Sequence, residues 1–547
     1  MPRNPGAAVS LTYIDRMVHI PFRHGTLDTP LRRARTVARD KVALIDGDVR
    51  LTYGELSARS DRLRGGLLGL GLQAGDRVAG LALNSAAHFE AWTAIPTANL
   101  VFNDLNFRLA PVELEFIVDD AGARVLAADA EHWDVATRLL DRCERLERLV
   151  WMDEGDAPDG SVTWSELAAH DPVPIPSELD ADSAAALVYT GGTTGRPKGV
   201  VQTHGNLIAN AKHILWANPL FEDDRFLHTT PMFHAAGVAN AFAQTFVAGT
   251  HVICPGFDPE LVGRMIEEYR ITACVLVPTM INMFLNHPGT KERDLSSWRV
   301  CQYAASPIPL AVLQRAMTEL PCDFLQGYGM TEMSPHCCQL TIDDHRRAVA
   351  GDDVAIQRLK SCGTPCVGVD LEIRRLDGTV ADIDEVGEIT VRGPNQMPGY
   401  WERPQETAEV FTEDGWYRTG DLASMDAGGY VFIVDRAKDM IVSGGENVYT
   451  TEVENALSTH PAVLEMAVFG IPDERWGEAV HAEVVLKPGS SADATELIAH
   501  CRATIAGFKV PRSIVIRDEP LPKSGAGKIL KRDIRAPYWQ GQERSVT

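Results

Sequence analysis

A short apolar run that leads into a loop of glycines and threonines is the feature that most constrains the fold of this chain. Residues 187–200 read LVYTGGTTGRPKGV. The apolar start predicts a buried strand, and the glycines after it let backbone N–H groups approach phosphate oxygens closely. Because threonines add donors and a lysine adds positive charge, the pattern predicts a phosphate-binding loop. Its candidate residues are Thr190, Gly191, Gly192, Thr193, Thr194 and Lys198.

Other common nucleotide-binding and hydrolytic motifs are absent from the sequence. The loop lacks the G-x-x-x-x-G-K-[ST] spacing of a Walker A motif. The glycine-rich stretch at 525–528 lacks it too, because Pro522 stands where the first glycine is required. Neither G-x-S-x-G nor H-E-x-x-H occurs. Kinase, P-loop ATPase, serine hydrolase and zinc protease functions are therefore not indicated.

Strand-like and helical segments alternate through much of the chain. Apolar runs at 78–83, 125–128 and 148–151 predict short buried strands, and residues 86–94 predict a helix. This alternation favours α/β layers with largely parallel sheets. After about residue 367, apolar and polar residues alternate between Gly- and Asp-rich turns, which predicts antiparallel β structure.

The length of 547 residues exceeds what one hydrophobic core normally serves. Beyond Asp435 the pattern mixes helices and strands over about a hundred residues, which is within the usual size of a domain. We therefore predict an α/β fold with a large N-terminal domain over residues 1–436, including a β-rich subdomain over about 367–436. A small, mobile C-terminal α+β domain is predicted over 437–547.

Charge and cysteine content restrict the partners and the compartment. The formal net charge is -23 and the pI is about 5.1, which disfavours nucleic acid and anionic membranes as partners. Ten cysteines without zinc-ribbon or C-x-x-C spacing favour the reducing cytoplasm. The apolar residues 235–253 include Asn240, Gln244 and His251, so they predict a buried segment rather than a membrane span. A homodimer stays open.

Four further motifs follow the phosphate loop in order. They read QGYGMTE at 326–332, YRTGD at 417–421, DRAKDMIVSGGENV at 435–448 and PKSGAGKI at 522–529. Together with the loop, they resemble the spaced signatures of the adenylate-forming superfamily. That superfamily includes acyl-CoA synthetases, firefly luciferase and the adenylation domains of peptide synthetases. The resemblance extends over nearly the whole chain, from about residue 38 to residue 532.

The resemblance implies an ATP-dependent acyl-CoA synthetase. Such an enzyme converts a carboxylic acid and ATP into acyl-AMP and pyrophosphate, and then transfers the acyl group to the thiol of coenzyme A with release of AMP. Because the carboxylate and the phosphates are all negative, catalysis requires positioning and charge neutralisation. Mg²⁺ is the implied cofactor, and ATP and coenzyme A are the implied co-substrates.

The matched motifs suggest roles for individual residues. Glu332 suits Mg²⁺, and Thr331 can donate to the α-phosphate. Asp421 can accept from the ribose hydroxyls and Arg436 can donate to the ribose, although Thr-Gly-Asp also resembles a turn. Lys528, in a flexible Gly-rich stretch, is the expected catalytic cation. The predicted nucleotide site also contains Ala305, Gln326, Gly327 and Tyr328.

The C-terminal domain is implied to act as a lid with its hinge at Lys438. It would supply Lys528 for adenylation and then rotate so that Gly444 and Gly445 line the coenzyme A channel. Glycine suits this channel because a pantetheine arm needs close backbone approach. Four more cations near Lys528 fit a solvated basic face at least as well as a function: Lys509, Lys523, Lys531 and Arg532.

The acyl side of the site rests on a shorter resemblance. Residues 231–237, PMFHAAG, resemble the family segment at the pocket mouth, where His234 would border the acid and thiol paths. A structural core histidine is the alternative. Ala235 occupies the place where peptide-synthetase domains have an aspartate, so an amino-acid substrate is not expected. The predicted acyl pocket consists of His234, Tyr303, Ala304 and Gly329.

Two departures from the family pattern affect this pocket. Residues 304–307 read AASP where many relatives have GGAP or GAAP, and residues 98–100 read ANL in place of the usual Gly-Ala pair. The acid therefore stays open among fatty, aryl, alicyclic and terpenoid acids. Three alternative functions stay open as well: an acyl-AMP ligase that loads a carrier protein, a luciferase-type oxygenase and a non-catalytic acyl-nucleotide binding protein.

Overall fold

A computed structural model describes residues 25–190, 196–306, 308–375, 377–436, 438–444, 446–473, 475–523 and 529–540, apart from the side chain of Ala236. Within these ranges the chain forms four β-sheets and the helices that pack on them. The predicted α/β fold, with a large N-terminal part and a smaller C-terminal part, is confirmed. No helix in this part of the chain is long and apolar enough to cross a membrane.

Strands and helices alternate along much of the chain, and the strands are numbered here through all four sheets. In chain order they are β1 (Val42–Asp46), β2 (Val49–Thr52), β3 (Arg77–Leu81), β4 (Val101–Asp104), β5 (Ala123–Ala128), β6 (Arg148–Trp151), β7 (Val162–Thr163), β8 (Ala184–Thr190), β9 (Lys198–Thr203), β10 (Arg225–His228), β11 (Thr250–Ile253), β12 (Ala273–Leu276), β13 (Val300–Ala304), β14 (Asp323–Gly329), β15 (His336–Leu340), β16 (Thr364–Pro365), β17 (Asp370–Arg374), β18 (Gly387–Arg392), β19 (Tyr417–Met425), β20 (Val431–Arg436), β21 (Ile441–Ser443), β22 (Glu446–Val448), β23 (Val463–Asp473), β24 (Gly477–Leu486) and β25 (Ser513–Arg517).

The α-helices of the described residues vary from one turn to about five turns. They are α1 (Asp28–Val37), α2 (Tyr53–Gly69), α3 (Ala86–Ala94), α4 (Pro111–Ala121), α5 (Trp133–Arg142), α6 (Trp164–Leu167), α7 (His204–Ala217), α8 (Ala235–Phe246), α9 (Pro259–Tyr269), α10 (Pro278–Asn286), α11 (Leu310–Glu319), α12 (Ile342–Val349), α13 (Asp353–Arg358), α14 (Pro404–Val410), α15 (Thr450–Ser458), α16 (Ala494–Thr504) and α17 (Lys531–Arg535).

Two largely parallel sheets form the N-terminal part. Over the described ranges, one has the order β7-β6-β5-β3-β4-β8-β9 and the other the order β16-β15-β14-β13-β12-β10-β11-β1-β2. Only β9 in the first sheet, and β2, β15 and β16 in the second, run antiparallel to their neighbours there. The parallel strands are short, and most of their residues are apolar and buried, which is typical of strands that helices cover.

Capping residues determine where several helices begin. The Thr203 hydroxyl accepts from the backbone N–H of Asn206 at 3.1 Å, and the Asn206 side chain accepts from the Thr203 N–H at 3.1 Å. This reciprocal arrangement starts α7 directly after β9. One turn later, the Oδ1 of Asn210 accepts from the backbone N–H of His336 at 2.9 Å. This contact holds α7 next to β15 of the second sheet.

The third and fourth sheets are mainly antiparallel. The third has the order β17-β18-β19-β20 among the residues described, which confirms the antiparallel structure predicted after residue 367. The fourth joins β22, β21, β24 and β23 in that order, and β25 pairs in parallel with β24. The third sheet ends at Arg436 and the fourth begins at Ile441. The domain boundary at 436/437 stays a prediction.

The central hairpin of the fourth sheet is longer than its sequence indicates. The pattern predicts strands at 465–469 and 482–486, whereas β23 and β24 pair from Val463 to Asp473 and from Gly477 to Leu486, with one register shift between Val463 and Glu465. Pro472 lies within β23, where a sequence-based assignment ends the strand. Because β23 is at the edge of the sheet in this part of the chain, a proline there removes no central hydrogen bond.

Candidate active site

The predicted phosphate loop lies between two paired strands. Thr190 at the end of β8 is opposite Lys198 at the start of β9. Gly191, Gly192, Thr193 and Thr194 lie outside the described residues. The Lys198 ammonium is 5.2 Å from the centre of the Tyr400 ring, and Tyr400 forms a β-bridge with Val200. The positive charge at the mouth of the loop is thus held beside an aromatic side chain that approaches from a distant segment.

That aromatic side chain also reaches the predicted magnesium ligand. The Tyr400 hydroxyl donates to Oε1 of Glu332 at 3.0 Å, and the backbone N–H of Met397 donates to the Glu332 carbonyl at 2.8 Å. Glu332 lies on a 3-10 turn, Thr331–Met333, which follows β14. Its burial raises the pKa of its carboxyl group above the ordinary value. A nearby cation would stabilise the ionised carboxylate and so offset the free-energy cost of burying its charge.

Thr331 is held in the same arrangement. The side-chain amide of Gln202, on β9, donates to the Thr331 carbonyl at 3.0 Å. This contact joins the strand that follows the phosphate loop to the turn that carries Thr331 and Glu332. Lys198, Thr331 and Glu332, which are far apart in the sequence, therefore lie around one region at the ends of β8 and β14.

A second polar network surrounds Asp421. The Tyr328 hydroxyl donates to Oδ2 of Asp421 at 2.7 Å, and Nε of Arg436 is 3.2 Å from Oδ1. Asp421 is 6% exposed and pairs with Arg436 across β19 and β20. It is therefore a strand residue rather than a turn residue. Its carboxylate is oriented by a hydroxyl and a guanidinium, and carboxylate oxygens can accept more than one hydrogen bond each.

Close contacts with β15 and the residue before it explain two glycines of the QGYG motif. A Cβ on Gly327 would lie 2.5 Å from the His336 ring, and a Cβ on Gly329 would lie 1.6 Å from the Pro335 carbonyl oxygen. Neither distance is accessible to a side chain, so β15 approaches β14 this closely only because both positions are glycine. Gln326 lies on the same strand and is half-buried.

The prediction that Tyr303 lines the acyl pocket is wrong. Its side chain is fully buried among the apolar residues of the second sheet and hydrogen-bonds through its hydroxyl to Nε2 of His345 at 2.9 Å. Gln302 and Ala304, one residue to either side on β13, point to the other face of the sheet. Tyr303 is next to the predicted pocket residues in the sequence. Because successive side chains of a strand lie on opposite faces of the sheet, its ring packs in the core on the other face.

Ala304 and Ala305 lie at the carboxyl end of β13. Ala304 is half-buried, and Ala305 is exposed with a φ of 77°. This left-handed conformation favours glycine, so an alanine at this position carries backbone strain. His234, the other predicted pocket residue, directly precedes α8 and is half-buried. Its burial lowers the pKa of its imidazole below the ordinary value.

The C-terminal candidates are described in part. Lys438 is exposed, whereas Gly445 and Lys528 lie outside the described residues. Gly444 has a φ of 63°, and a Cβ there would lie 2.6 Å from the Trp476 ring. Lys531 does not belong to a solvated basic face, because its side chain is only 17% exposed and its ammonium is 2.8 Å from Oε1 of Glu454.

Comparison with known proteins identifies the family. A family model described as AMP-binding enzyme matches residues 31–401, and a model of the AMP-binding enzyme C-terminal domain matches residues 452–528.

The chain belongs to the AMP-binding enzyme family.

Relatives of this AMP-binding enzyme span nearly its whole length. A feruloyl-CoA synthase of Amycolatopsis sp is 41% identical over 510 residues, which cover 93% of this chain and 98% of the relative. The medium/long-chain-fatty-acid–CoA ligase FadD8 of Mycobacterium tuberculosis is 36% identical and covers 93% and 89%, respectively. Among solved structures, the anthranilate CoA ligase AuaEII in complex with anthranoyl-AMP has a TM-score of 0.85 at 27% identity, with coverage of 95% and 98%.

These comparisons confirm the predicted superfamily and enzyme class. The chain is an AMP-forming acid–thiol ligase of the acyl-CoA synthetase type, for which ATP and coenzyme A are the co-substrates. The individual site residues stay predictions. The structure connects Lys198 and Glu332 through Tyr400, and it joins Asp421 to Tyr328 and Arg436.

Sequence reasoning missed three residues of this AMP-binding enzyme that organise the site. They are Gln202, Tyr400 and Asn395, whose amide donates to the carbonyl of His336 at 2.7 Å. Two of them belong to residues 394–401, PNQMPGYW, a short polar and proline-containing segment between a strand and a helix. The signal was the pair of aromatic residues directly after Gly399, in a stretch otherwise typical of a surface loop.

Proposed function

We propose that this enzyme binds ATP along residues 328–332, with the ribose at Asp421 and the phosphates between Lys198 and Glu332. The main support for this proposal is that residues 328–332 contribute a side chain to each of the two networks. Tyr328 bonds to Asp421, and Glu332, four residues later, bonds to Tyr400. A nucleotide that binds along this segment would have its ribose hydroxyls next to Asp421 at one end and its phosphates next to Lys198 and Glu332 at the other.

The acid would bind next to the α-phosphate position, close to Thr331 and Gly329. Its carboxylate must approach a phosphorus atom that is already surrounded by negative oxygens, so local positive charge is essential. Lys198 and Arg436 supply such charge in a protein whose net charge is -23. We assign the remaining catalytic cation to Lys528 and assign His234 to the boundary between the acid and thiol paths.

Magnesium fits this arrangement through Glu332. No cluster of three or more histidine, cysteine, aspartate or glutamate side chains within the described ranges is suited to hold a metal ion by itself. Mg²⁺, however, commonly binds through one or two carboxylates together with substrate phosphates and water. Glu332, oriented by Tyr400, supplies such a carboxylate. When bound, the ion would neutralise phosphate charge, while Tyr400 keeps the carboxylate aimed at it.

Coenzyme A is the acceptor that we propose for the second step. A pantetheine arm would pass Gly444, where the backbone conformation and the Trp476 ring exclude a side chain. Lys438 would be the hinge residue. The ten cysteines are all described and all carry free, buried thiols, which supports a reducing compartment such as the cytoplasm. The proposal includes no nucleic-acid partner and leaves a homodimer open.

The test separates the two half-reactions. Purified protein is incubated with Mg-ATP and a panel of fatty, aryl and alicyclic acids, and pyrophosphate release is measured before and after addition of coenzyme A. Without a thiol, we expect slow pyrophosphate release, in an amount limited by the amount of enzyme. Once coenzyme A is present, we expect repeated release of AMP together with formation of the thioester.

Other outcomes identify the alternatives. AMP turnover that requires a phosphopantetheine-bearing carrier protein and ignores coenzyme A would make the protein a carrier-loading ligase. Oxygen consumption with light emission would indicate the luciferase-type reaction. Nucleotide binding without pyrophosphate release for any acid would contradict the proposed function.

A further inference from the structure

The strand that carries Lys198 is held between two segments. Strand β8 pairs with one edge of β9, and residues 399–401 pair with the other edge. On this second edge, the backbone N–H of Trp401 donates to the Gly199 carbonyl at 2.7 Å. The position of Lys198 therefore depends on both neighbours of β9.

Asp120, in the last turn of α4, bonds to both of these neighbours. Its Oδ2 accepts from the Tyr189 hydroxyl, on β8, at 2.7 Å. Its Oδ1 forms an ion pair with Arg403, which directly follows the segment on the other side of β9 and its next residue. The backbone carbonyl of Asp120 also accepts from the indole N–H of Trp401 at 3.2 Å. One residue of α4 thus joins two segments across β9.

These contacts are partly shielded from water. The side chain of Asp120 is 12% exposed and that of Arg403 is 29% exposed. Burial, with the hydrogen bond to Asp120, raises the pKa of the Tyr189 hydroxyl above its ordinary value, so this group stays protonated and donates. Because hydrogen bonds to a charged group are stronger than neutral ones, they hold their three side chains in a defined arrangement.

Tyr189 lies against the start of β9. A Cβ on Gly199, which follows Lys198, would lie only 3.0 Å from the Tyr189 ring, so the ring packs directly on the strand backbone. Just before β9, the guanidinium of Arg196 is 5.7 Å from the centre of the Phe116 ring, which also belongs to α4. Helix α4 therefore contacts the chain at both ends of the phosphate loop.

Arg403 belongs to the turn that carries Tyr400. Its backbone N–H donates to the Tyr400 carbonyl at 3.2 Å. The Tyr400 hydroxyl in turn bonds to Glu332, the proposed magnesium ligand. The ion pair between Asp120 and Arg403 therefore holds the turn on which the orientation of Glu332 depends.

We propose that Asp120 is a positioning residue for the adenylation step. Through Tyr189 it fixes the start of β9 and thus Lys198, and through Arg403 it fixes the tyrosine that orients Glu332. The inference rests on the proposed function and assigns to the same site a residue on a helix outside it. A cluster that only stabilises the fold would affect both half-reactions, whereas a positioning residue affects the step that uses ATP and magnesium.

Asp120→Asn tests this inference with little change in size. An amide has one acceptor oxygen, and its NH₂ group cannot accept from a hydroxyl or a guanidinium, so at least one of the two contacts is lost. Pyrophosphate release is measured against the concentrations of ATP and of Mg²⁺, with the acid that the wild type uses fastest. We expect the KM for ATP and the half-maximal Mg²⁺ concentration each to rise roughly fivefold or more.

The second half-reaction and a neighbouring residue serve as controls. Thioester formation from synthetic acyl-AMP and coenzyme A should proceed in Asp120→Asn within about twofold of the wild-type rate, because pyrophosphate has already left before this step. Asp119→Asn makes the same change of charge at the adjacent, exposed carboxylate of α4, and it should keep the wild-type ATP and Mg²⁺ dependence.

Two further variants separate the contacts of Asp120. Tyr189→Phe should raise mainly the KM for ATP, because it releases the strand that carries Lys198. Arg403→Met should raise mainly the Mg²⁺ requirement. Combining Arg403→Met with Tyr400→Phe should add little to either single change, because both act on the orientation of Glu332.

The outcomes distinguish this inference from the proposed function. Unchanged ATP and Mg²⁺ dependence in folded Asp120→Asn, or equal slowing of both half-reactions, would overturn the inference and leave the acyl-CoA synthetase assignment intact. Equal shifts in Asp119→Asn and Asp120→Asn would overturn it too, because charge alone would then account for the effect. Failure of the wild type to release pyrophosphate with any acid would instead contradict the proposed function.

Discussion

At the scale of single residues, the clearest local strain is at Ala305. Its φ of 77° costs a residue with a Cβ roughly 1–2 kcal/mol, and glycine avoids that cost. Glycine also gains freedom in the unfolded chain, which offsets part of the benefit by about 0.5–1 kcal/mol. Ala305 has this conformation directly after the end of β13, next to the proposed nucleotide site.

We predict that Ala305→Gly raises the free energy of unfolding by about 0.5–1 kcal/mol. Ala304→Gly is the matched control, because Ala304 does not have a positive φ and should lose stability instead. Urea denaturation followed by fluorescence measures both. Equal destabilisation by the two substitutions would show that the backbone strain at Ala305 is not significant.

The Tyr400 hydroxyl should matter for magnesium more than for the fold. Tyr400→Phe removes the 3.0 Å hydrogen bond to Glu332 and leaves a half-buried carboxylate without its donor. We predict that the concentration of Mg²⁺ needed for half-maximal pyrophosphate release rises roughly tenfold. In Tyr430→Phe, which removes a hydrogen bond to Asp344 in another part of the molecule, the Mg²⁺ requirement should be unchanged. An unchanged requirement in Tyr400→Phe would remove Glu332 from the proposed metal site.

Two buried histidines make stability sensitive to acid. Nε2 of His228 is 3.0 Å from Nδ1 of His251, and the rings stack beneath α8. Burial lowers the pKa of His228 to about 3 and lowers the pKa of His251 as well, since a second neutral histidine cannot stabilise a charge. The folded-state pKa values thus lie below the unfolded value near 6.5.

The contribution of these histidines to the free energy of unfolding is therefore unreduced above about pH 6.5. It is lost as the pH falls from about 6.5 towards 3, because the unfolded chain binds protons that the folded chain excludes. We predict a loss of about 2 kcal/mol per excluded proton by pH 5. Chemical denaturation at several pH values measures this loss. His251→Gln should have a shallower dependence on pH than the wild type. An identical pH profile for both proteins would contradict the prediction.

At the scale of elements, Lys531 anchors the helix that directly follows the lysine motif. Its ammonium is 2.8 Å from Oε1 of Glu454 and donates to the Thr450 hydroxyl at 2.7 Å. The same hydroxyl donates to Asp435, at the end of the third sheet, at 3.1 Å. Helix α17 is thereby tied to α15 and to the segment just before the predicted hinge.

We predict that Lys531→Met destabilises the C-terminal part by about 3–5 kcal/mol, because it leaves partly buried carboxylates unpaired. Hydrogen exchange of α15 and α17 measures the change locally. Arg532→Met is the matched control, since Arg532 is exposed and pairs only with the neighbouring Asp533 in the described structure, so its effect should stay within about 0.5 kcal/mol. Similar exchange in both variants would show that Lys531 is not an anchor.

At the scale of the whole molecule, the two half-reactions are expected to need different positions of the C-terminal domain. Proline at Lys438 would fix φ at the hinge and restrict the residue before it. We predict that Lys438→Pro forms acyl-AMP at a rate near that of the wild type but slows thioester formation by roughly tenfold or more. Single-turnover assays with and without coenzyme A separate the steps. Equal slowing of both steps, or of neither, would mean that Lys438 is not the hinge.

The sequence alone predicted the family, the layered α/β fold and the order of the motifs. It succeeded because each motif is a short run whose chemistry depends on adjacent residues, as in the Gly-Thr-Lys loop or the QGYG strand. It could not place Tyr303, because a one-residue step along a strand exchanges the two faces of a sheet. Nor could it indicate Asp120, because the contacts of this residue with Tyr189 and Arg403 join segments that are far apart in the sequence.

What the sequence by itself determined is the family and the order of its motifs, and from these it predicts a phosphate loop, an aspartate and an arginine for a ribose, a glutamate for magnesium and a late lysine. The tertiary structure decided which of these residues act together. Tyr400 orients Glu332 across 68 positions, and Tyr328 orients Asp421 across 93. Such contacts depend on the packing of separate sheets, and no local pattern encodes them, because folding brings the ends of distant strands to one edge.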